Sequence, residues 1–361
     1  MLKIPAAEIP KFRRRLLSWF AECKRDLPWR HTRDPYCIWL SEIMLQQTRV
    51  AAVIPYYKRF LQTFPNVRAL ARAKADRVLA NWAGLGYYSR ARNLQRAAKE
   101  IVSRHAGHFP REYEAALALP GIGRYTAAAV LSIAYDAPLS VLDGNVARVL
   151  ARIGALYGDL RAPALWRKLE STAQDLLARN ASGDWNQAMM ELGATVCTPK
   201  SPQCGECPVE KWCRARKLGI AEELPSARKK RAAVKVTLAA AVLLDPRGRT
   251  LIVRQLDGHG ALFSRMWQFP ALETTGTDAG VALARHMHEK YGVSEKGALI
   301  PLTAARHAVT YRNIRLESYL VHVASLPLVM GSRIVPLGQI RRLPISSATQ
   351  KIALAAITHR I

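Results

Sequence analysis

The sequence predicts a multidomain protein: an all-α domain through about residue 220, then a linker and an α+β domain from 235 onward. Three observations carry this prediction. Ala- and Leu-rich segments with helical periodicity recur up to residue 219, without strand-like alternation. A loop holding four cysteines follows the last of them. Beyond residue 234 the pattern changes to β-rich runs punctuated by turn residues.

In chain order, periodicity predicts helices over 10–23, 36–48, 51–62, 75–82, 89–104, 111–118, 124–134, 143–156, 163–179 and 184–194. Short Gly, Pro and Asp breaks separate them. Residues 1–220 are therefore read as one helical domain. AEELPSARKKRAAV, residues 221–234, is charged, contains proline and lacks an apolar face, which marks a linker. Its four cations, Arg228 to Arg231, suit either a DNA phosphate or a solvated linker. In 235–361, VKVTLAAAVLL and TLIVRQ read as strands around the turn DPRG. MWQFPAL, LTAARHAVTY and IRLESYLVHV read as extended, and residues 279–291 as a helix.

Composition narrows the function class. There are 361 residues, with 54 Lys and Arg against 27 Asp and Glu, a net charge of +27. Such an excess argues for a polyanionic partner, most simply nucleic acid. No stretch is apolar for long enough to cross a bilayer, so no membrane association is expected. The start, MLKIPAAEIP, lacks the apolar region of a signal peptide, which predicts a cytoplasmic, nucleoid-associated protein.

Of the six cysteines, four crowd into seventeen residues. Cys197, Cys204, Cys207 and Cys213 have the spacing C-x6-C-x2-C-x5-C. Zinc sites usually take ligands as two close pairs separated by a longer loop. Here only the central pair is close, which favours a cubane iron–sulfur cluster (4Fe–4S) over a zinc loop.

Two further stretches stand out. LPGIGRYTA, residues 119–127, sits between two helical segments. Gly121 and Gly123 allow a tight turn that aims backbone N–H groups outward at a helix start, a site for phosphate. In VLDGNVARV, Asp143 precedes a helix, where it would serve as N-cap. The dipole and free amides of a helix start also favour an ionised carboxylate. In WLSEIMLQQTRV, residues 39–50, a lone carboxyl, Glu42, lies among Trp, Ile, Met and Leu. An amphipathic helix with Glu42 facing solvent is the ordinary reading of such a residue.

Taken together, these motifs resemble the endonuclease III superfamily of DNA glycosylases. LPWR (27–30), WLSEIMLQQTRV, GLGYYSRARNL (84–94), LDGNV (142–146) and NQAMMELGA (186–194) look like the adenine DNA glycosylases of the MutY type. The resemblance covers roughly residues 10–220. It implies a helix-hairpin-helix glycosylase domain with an iron–sulfur loop and a Nudix-like C-terminal domain. It implies a monofunctional DNA N-glycosylase, monomeric, acting on adenine opposite 8-oxoguanine or guanine in double-stranded DNA. Lyase relatives carry a catalytic lysine where this chain has Tyr125, so no Schiff base is expected.

The same resemblance assigns roles. Glu42 is the general acid and base, Asp143 stabilises the oxocarbenium ion or briefly bonds to it, and Tyr125 and Asn145 support Asp143 and the attacking water. Gln46, Gln47 and Thr48 contact base edges in the gap left by an extruded adenine, and Tyr87 wedges into the stack. Arg25, Trp29, Arg30, Leu45, Val50 and Gln187 surround the adenine. The C-terminal domain departs from the family pattern in two places. RHMHEKYG (285–292) lacks two of the three carboxylates that a Nudix hydrolase needs, so no nucleotide hydrolysis is expected. HAVTY (307–311) puts Val309, Thr310 and Tyr311 where relatives carry a Phe-Ser-His lesion-reading loop.

Overall fold

The computed structural model of the chain describes residues 4–226, 234–254, 266–274, 278–294, 298–309 and 312–359. The chain divides into two compact units, Met1–Ala73 with Ser89–Lys229, and Lys74–Tyr88 with Lys230–Ile361.

The helices through residue 226 are α1 (Ile9–Cys23), α2 (Pro35–Leu45), α3 (Val50–Thr63), α4 (Val67–Arg72), α5 (Ala75–Trp82) and α6 (Ser89–Arg104). They continue as α7 (Tyr113–Leu117), α8 (Arg124–Tyr135), α9 (Gly144–Gly154), α10 (Pro163–Leu176), α11 (Ser182–Thr195) and α12 (Arg214–Lys217). In the first unit α2 packs on α8, α8 and α9 both pack on α11, and α1 covers α11. Helix α2 is apolar nearly all round and correspondingly buried, with Ile38, Trp39, Leu40 and Met44 at most 1% exposed.

Two differences from the expected helices have clear reasons. The helix expected over 36–48 ends at Leu45. Gln47 has φ of 57°, left-handed backbone that breaks the helix, so Gln46-Gln47-Thr48 forms a turn. Helix α4, absent from the expectation, has only six residues. It is too short for a periodic signal and is held by packing against α6.

The second unit is built on a seven-stranded mixed sheet. Its strands are β1 (Val234–Leu244), β2 (Arg249–Arg254), β3 (Trp267–Gln268), β4 (Ala271–Thr274), β5 (Ile300–Val309), β6 (Arg312–His322) and β7 (Ser332–Pro336). The order is β3-β2-β1-β6-β5, with β4 also pairing β1 and β7 pairing β2. β1 and β6 run parallel from Val234↔Arg312 to Leu244↔His322, and β5 and β6 are antiparallel. Successive β1 residues alternate between two cores, Ala240, Val242 and Leu244 in one and Ala239, Ala241 and Leu243 in the other. Helix α14 (Ser347–His359) closes the first core and α13 (Ala279–Tyr291) the second. The α+β class is thus present, with β7 and α14 added to the expected elements. Helix α5 belongs to this unit, where Asp76 pairs with Arg254 at 2.8 Å.

Candidate active site

Glu42 is buried, 6% exposed, on the face that α2 turns into the first unit. The ordinary solvent-facing reading of such a residue does not hold here, because α2 has no polar face to offer water; burial agrees with the acid among apolar neighbours that the resemblance implies. Burial pushes the Glu42 carboxyl up to about 7, reinforced by the nearby charge of Asp143 and opposed by a hydrogen bond from Tyr125. That bond runs from the Tyr125 hydroxyl to Glu42 Oε2 at 2.8 Å, and the same hydroxyl lies 3.2 Å from Met190 Sδ. Tyr125 therefore supports the acid directly.

Asp143 caps α9, accepting from Val146 N at 2.7 Å and from Asn145 Nδ2 at 3.1 Å. These bonds favour its ionised form, as the sequence suggests, yet burial outweighs them and raises its pKa above the ordinary aspartate value. Two buried side chains hold the aspartate in place. Asn186 accepts from Val141 N and donates to Leu139 O, fixing the loop before it. Arg148 donates to Asn145 Oδ1 (2.9 Å), Gly193 O (2.8 Å) and Cys197 O (2.9 Å), so one guanidinium joins α9, α11 and the cysteine loop.

These groups open onto one cavity of about 510 Å³. It brings together Glu42, Tyr125, Asp143 and Asn145 with the Gln46-Gln47-Thr48 turn. Arg25, Trp29, Arg30, Leu45, Val50 and Gln187 line it too. The sequence reading missed Met190 and Glu191, both inside the quoted stretch NQAMMELGA. Glu191 is 1% exposed and clamped by Arg25 (2.7 Å) and Arg30 (2.8 Å). Burial alone would raise its pKa, but hydrogen bonds from these two arginines hold it down at about 2. A signal did exist: an acid four residues after Gln187 falls on the same helix face.

The four cysteines line one small cavity beside Arg152. Arg152 donates to Cys197 Sγ (3.3 Å) and Thr198 O (2.7 Å). Burial and the proximity of Cys197, Cys213 and Cys204 push the Cys207 thiol up to about 12, so a cationic centre would be needed to hold it as a thiolate. The spacing of the four cysteines, with only the central pair close, fits a cluster with one iron per cysteine rather than a single zinc.

The glycine turn joins α7 to α8 with Gly121 at φ of 77°. Gly123 has φ of −98° and no side-chain cap, leaving the first amides of α8 open to an anion. Tyr87 is 41% exposed at φ of 48° and belongs to the second compact unit. Thr310 and Tyr311 lie outside the described residues, and Val309 is described only as the last residue of β5.

Residues 40–175 match the HhH-GPD superfamily of base excision DNA repair proteins, and residues 197–213 match the iron-sulfur binding domain of endonuclease III. The chain is 49% identical over 227 residues to the adenine DNA glycosylase of Homo sapiens, covering 60% of this chain and 42% of that protein. It is 40% identical over 206 residues to the adenine DNA glycosylase of Buchnera aphidicola from Acyrthosiphon pisum, covering 57% and 59%. The chain thus spans less than two thirds of either relative. A solved thermostable thymine-DNA glycosylase superposes with a TM-score of 0.54 at 29% identity, covering 59% of this chain and 98% of its own. The helical region, from the helix of Glu42 through the four-cysteine loop, is thus similar to the HhH-GPD superfamily of base excision DNA repair proteins, to the iron-sulfur domain of endonuclease III and to adenine DNA glycosylases.

Proposed function

We propose that the chain is a monofunctional adenine DNA glycosylase. It extrudes adenine mispaired with 8-oxoguanine or guanine and hydrolyses the bond between base and sugar. One observation carries the reading: a single cavity holds Glu42, whose buried carboxyl accepts from Tyr125 and is pushed up to about 7, together with Asp143. The edge of adenine exposed in the major groove presents an acceptor, N7, beside a donor, the exocyclic amine. A protonated Glu42 gives its proton to N7, while Glu191, whose two oxygens already accept from Arg25 and Arg30, holds those arginines at the cavity wall.

The base leaves with N7 protonated, so both electrons of the C1′–N9 bond go to a neutral adenine. The sugar becomes an oxocarbenium ion. Asp143, fixed by Val146 N and Asn145, faces that charge and stabilises it by its own charge or by a transient bond to C1′. Water then adds to C1′ and gives its proton to Glu42, which restores the acid. Tyr125 offers no amine, so strand cleavage is not part of the cycle.

The open helix start at Gly123 would take a DNA phosphate. The cysteine loop would hold a 4Fe–4S cluster that braces the segment tied to Arg148 and Arg152. Reading of the oxidised guanine falls to the second unit, through Val309, Thr310 and Tyr311. The protein acts as a monomer in this reading.

The test is single-turnover base release from duplexes with adenine opposite 8-oxoguanine, guanine or thymine, and with thymine opposite guanine. Fast adenine release opposite 8-oxoguanine, slower opposite guanine, supports the reading. Equal rates opposite both guanines would remove the lesion-reading role. Release of thymine in place of adenine would overturn the substrate assignment.

A further inference from the structure

Arg90 is buried, 9% exposed, near the start of α6. It lies in none of the groups of residues assigned above. Its Nη1 donates to Ile43 O at 2.8 Å and Met44 O at 2.9 Å, and also to Gln46 O. Its Nη2 donates to Thr48 Oγ1 at 3.2 Å. The carbonyls belong to the last turn of α2 and its exit, where helix geometry provides no partners and the dipole is negative. The hydroxyl belongs to the turn that follows. One guanidinium therefore holds both the end of the helix that carries Glu42 and the turn Gln46-Gln47-Thr48.

That turn needs holding. Gln47 is exposed and sits at φ of 57°, a conformation that a residue with a side chain keeps only when its surroundings impose it. Gln46 adds a weaker tie, with Nε2 3.4 Å from Thr126 Oγ1 on α8. Released from Arg90, residues 46–48 would relax toward ordinary right-handed backbone and continue α2. Gln47 would then swing away from the mouth of the cavity.

We propose that Arg90 is a positioning residue for base extrusion: it locks the α2 exit so that Gln47 and Thr48 stand where the extruded adenine leaves its gap. The inference rests on the glycosylase reading above. It differs from a general stabilising role because it requires loss of extrusion beyond loss of folding. It also leaves the chemistry of Glu42, one turn earlier on α2, largely in place.

The experiment compares wild type, Arg90→Met and Arg90→Lys. Lysine keeps a cation at the helix end but lacks the fork that reaches Thr48. Extrusion is read by the fluorescence of 2-aminopurine placed at the target position, which needs no base release. Excision is read on an ordinary mispaired duplex and on one whose target adenine faces an abasic spacer, where extrusion is easy. Thermal melting accompanies each variant.

On the mispaired duplex, Arg90→Met should lose about tenfold or more in single-turnover rate, along with most of the fluorescence rise. Opposite the spacer it should lose no more than about threefold. Arg90→Lys should fall between Arg90→Met and wild type, and it carries the test if Arg90→Met does not fold. Equal losses on both duplexes, or an unchanged fluorescence rise in folded Arg90→Lys, would overturn the proposal. If wild type released no adenine at all, the glycosylase reading would fail, and the fluorescence comparison would still decide the role of Arg90.

Discussion

At the residue scale, Glu42 and Tyr125 make the sharpest predictions. An acid pushed up to about 7 loses its proton as pH rises through that value, so base release should fall across neutral pH. Tyr125 donates to the ionised carboxylate and thereby lowers its pKa. Tyr125→Phe should shift the descending limb of the pH–rate profile upward, and a downward shift would contradict the assigned bond. The same residue predicts a stability effect. The folded pKa of Glu42 lies above its ordinary value of 4.5, so its stabilising contribution is fully present below pH 4.5 and lost as pH rises through about 7. Glu42→Gln should therefore match wild type in denaturant unfolding near pH 4.5. At pH 8 and above it should be more stable, by up to the order of 3 kcal/mol. It should also abolish base release, and retention of a near-normal single-turnover rate would sink the mechanism.

At the scale of elements, close approach between helices matters most. A Cβ added at Gly193 on α11 would lie 2.7 Å from Asn145 Cβ and 3.1 Å from its backbone. Gly193→Ala should therefore displace Asn145, weaken its hold on Asp143, and destabilise the protein by about 1–3 kcal/mol, measurable by thermal unfolding beside the excision rate. The helix-hairpin-helix turn allows an internal comparison. Gly121 has φ of 77°, and its added Cβ would meet Asn93 Cβ at 2.6 Å, whereas Gly123 is extended with open space around it. Gly121→Ala should cost about 1–2 kcal/mol and weaken DNA binding. Gly123→Ala should leave stability within about 0.5 kcal/mol of wild type. Similar losses at both positions would mean that the turn geometry is wrong.

At the scale of the whole molecule, the net charge of +27 and the cysteine loop set expectations. DNA affinity should fall steeply and linearly in a plot of log K against log salt concentration, as counterion release requires. A flat plot would remove the electrostatic argument for DNA as partner. Cys204→Ser should reduce bound iron and the visible absorbance of the iron–sulfur cluster. It should also slow excision, because Arg148 ties Cys197 O to Asn145, and Arg152 ties the same loop to α9. Elemental analysis with the kinetics checks both parts, and a variant that lost its iron but kept its rate would show that the loop does not brace the site.

Sequence alone determined the two structural classes, the iron–sulfur spacing and most of the cavity wall. Local periodicity, turn chemistry and motif spacing are carried by neighbours along the chain, and they survive without coordinates. Glu42, Asp143 and the residues from Arg25 to Gln187 could be named together from their motifs, and the fold brings those motifs to one cavity. Tertiary structure alone decided the rest. It ended α2 at Leu45, because three carbonyls there meet a guanidinium from a helix more than forty residues away. It set Glu191 at about 2 by bringing Arg25 and Arg30 across from a distant segment. Charge state depends on solvation and on neighbours through space, and neither quantity is written in the order of the residues.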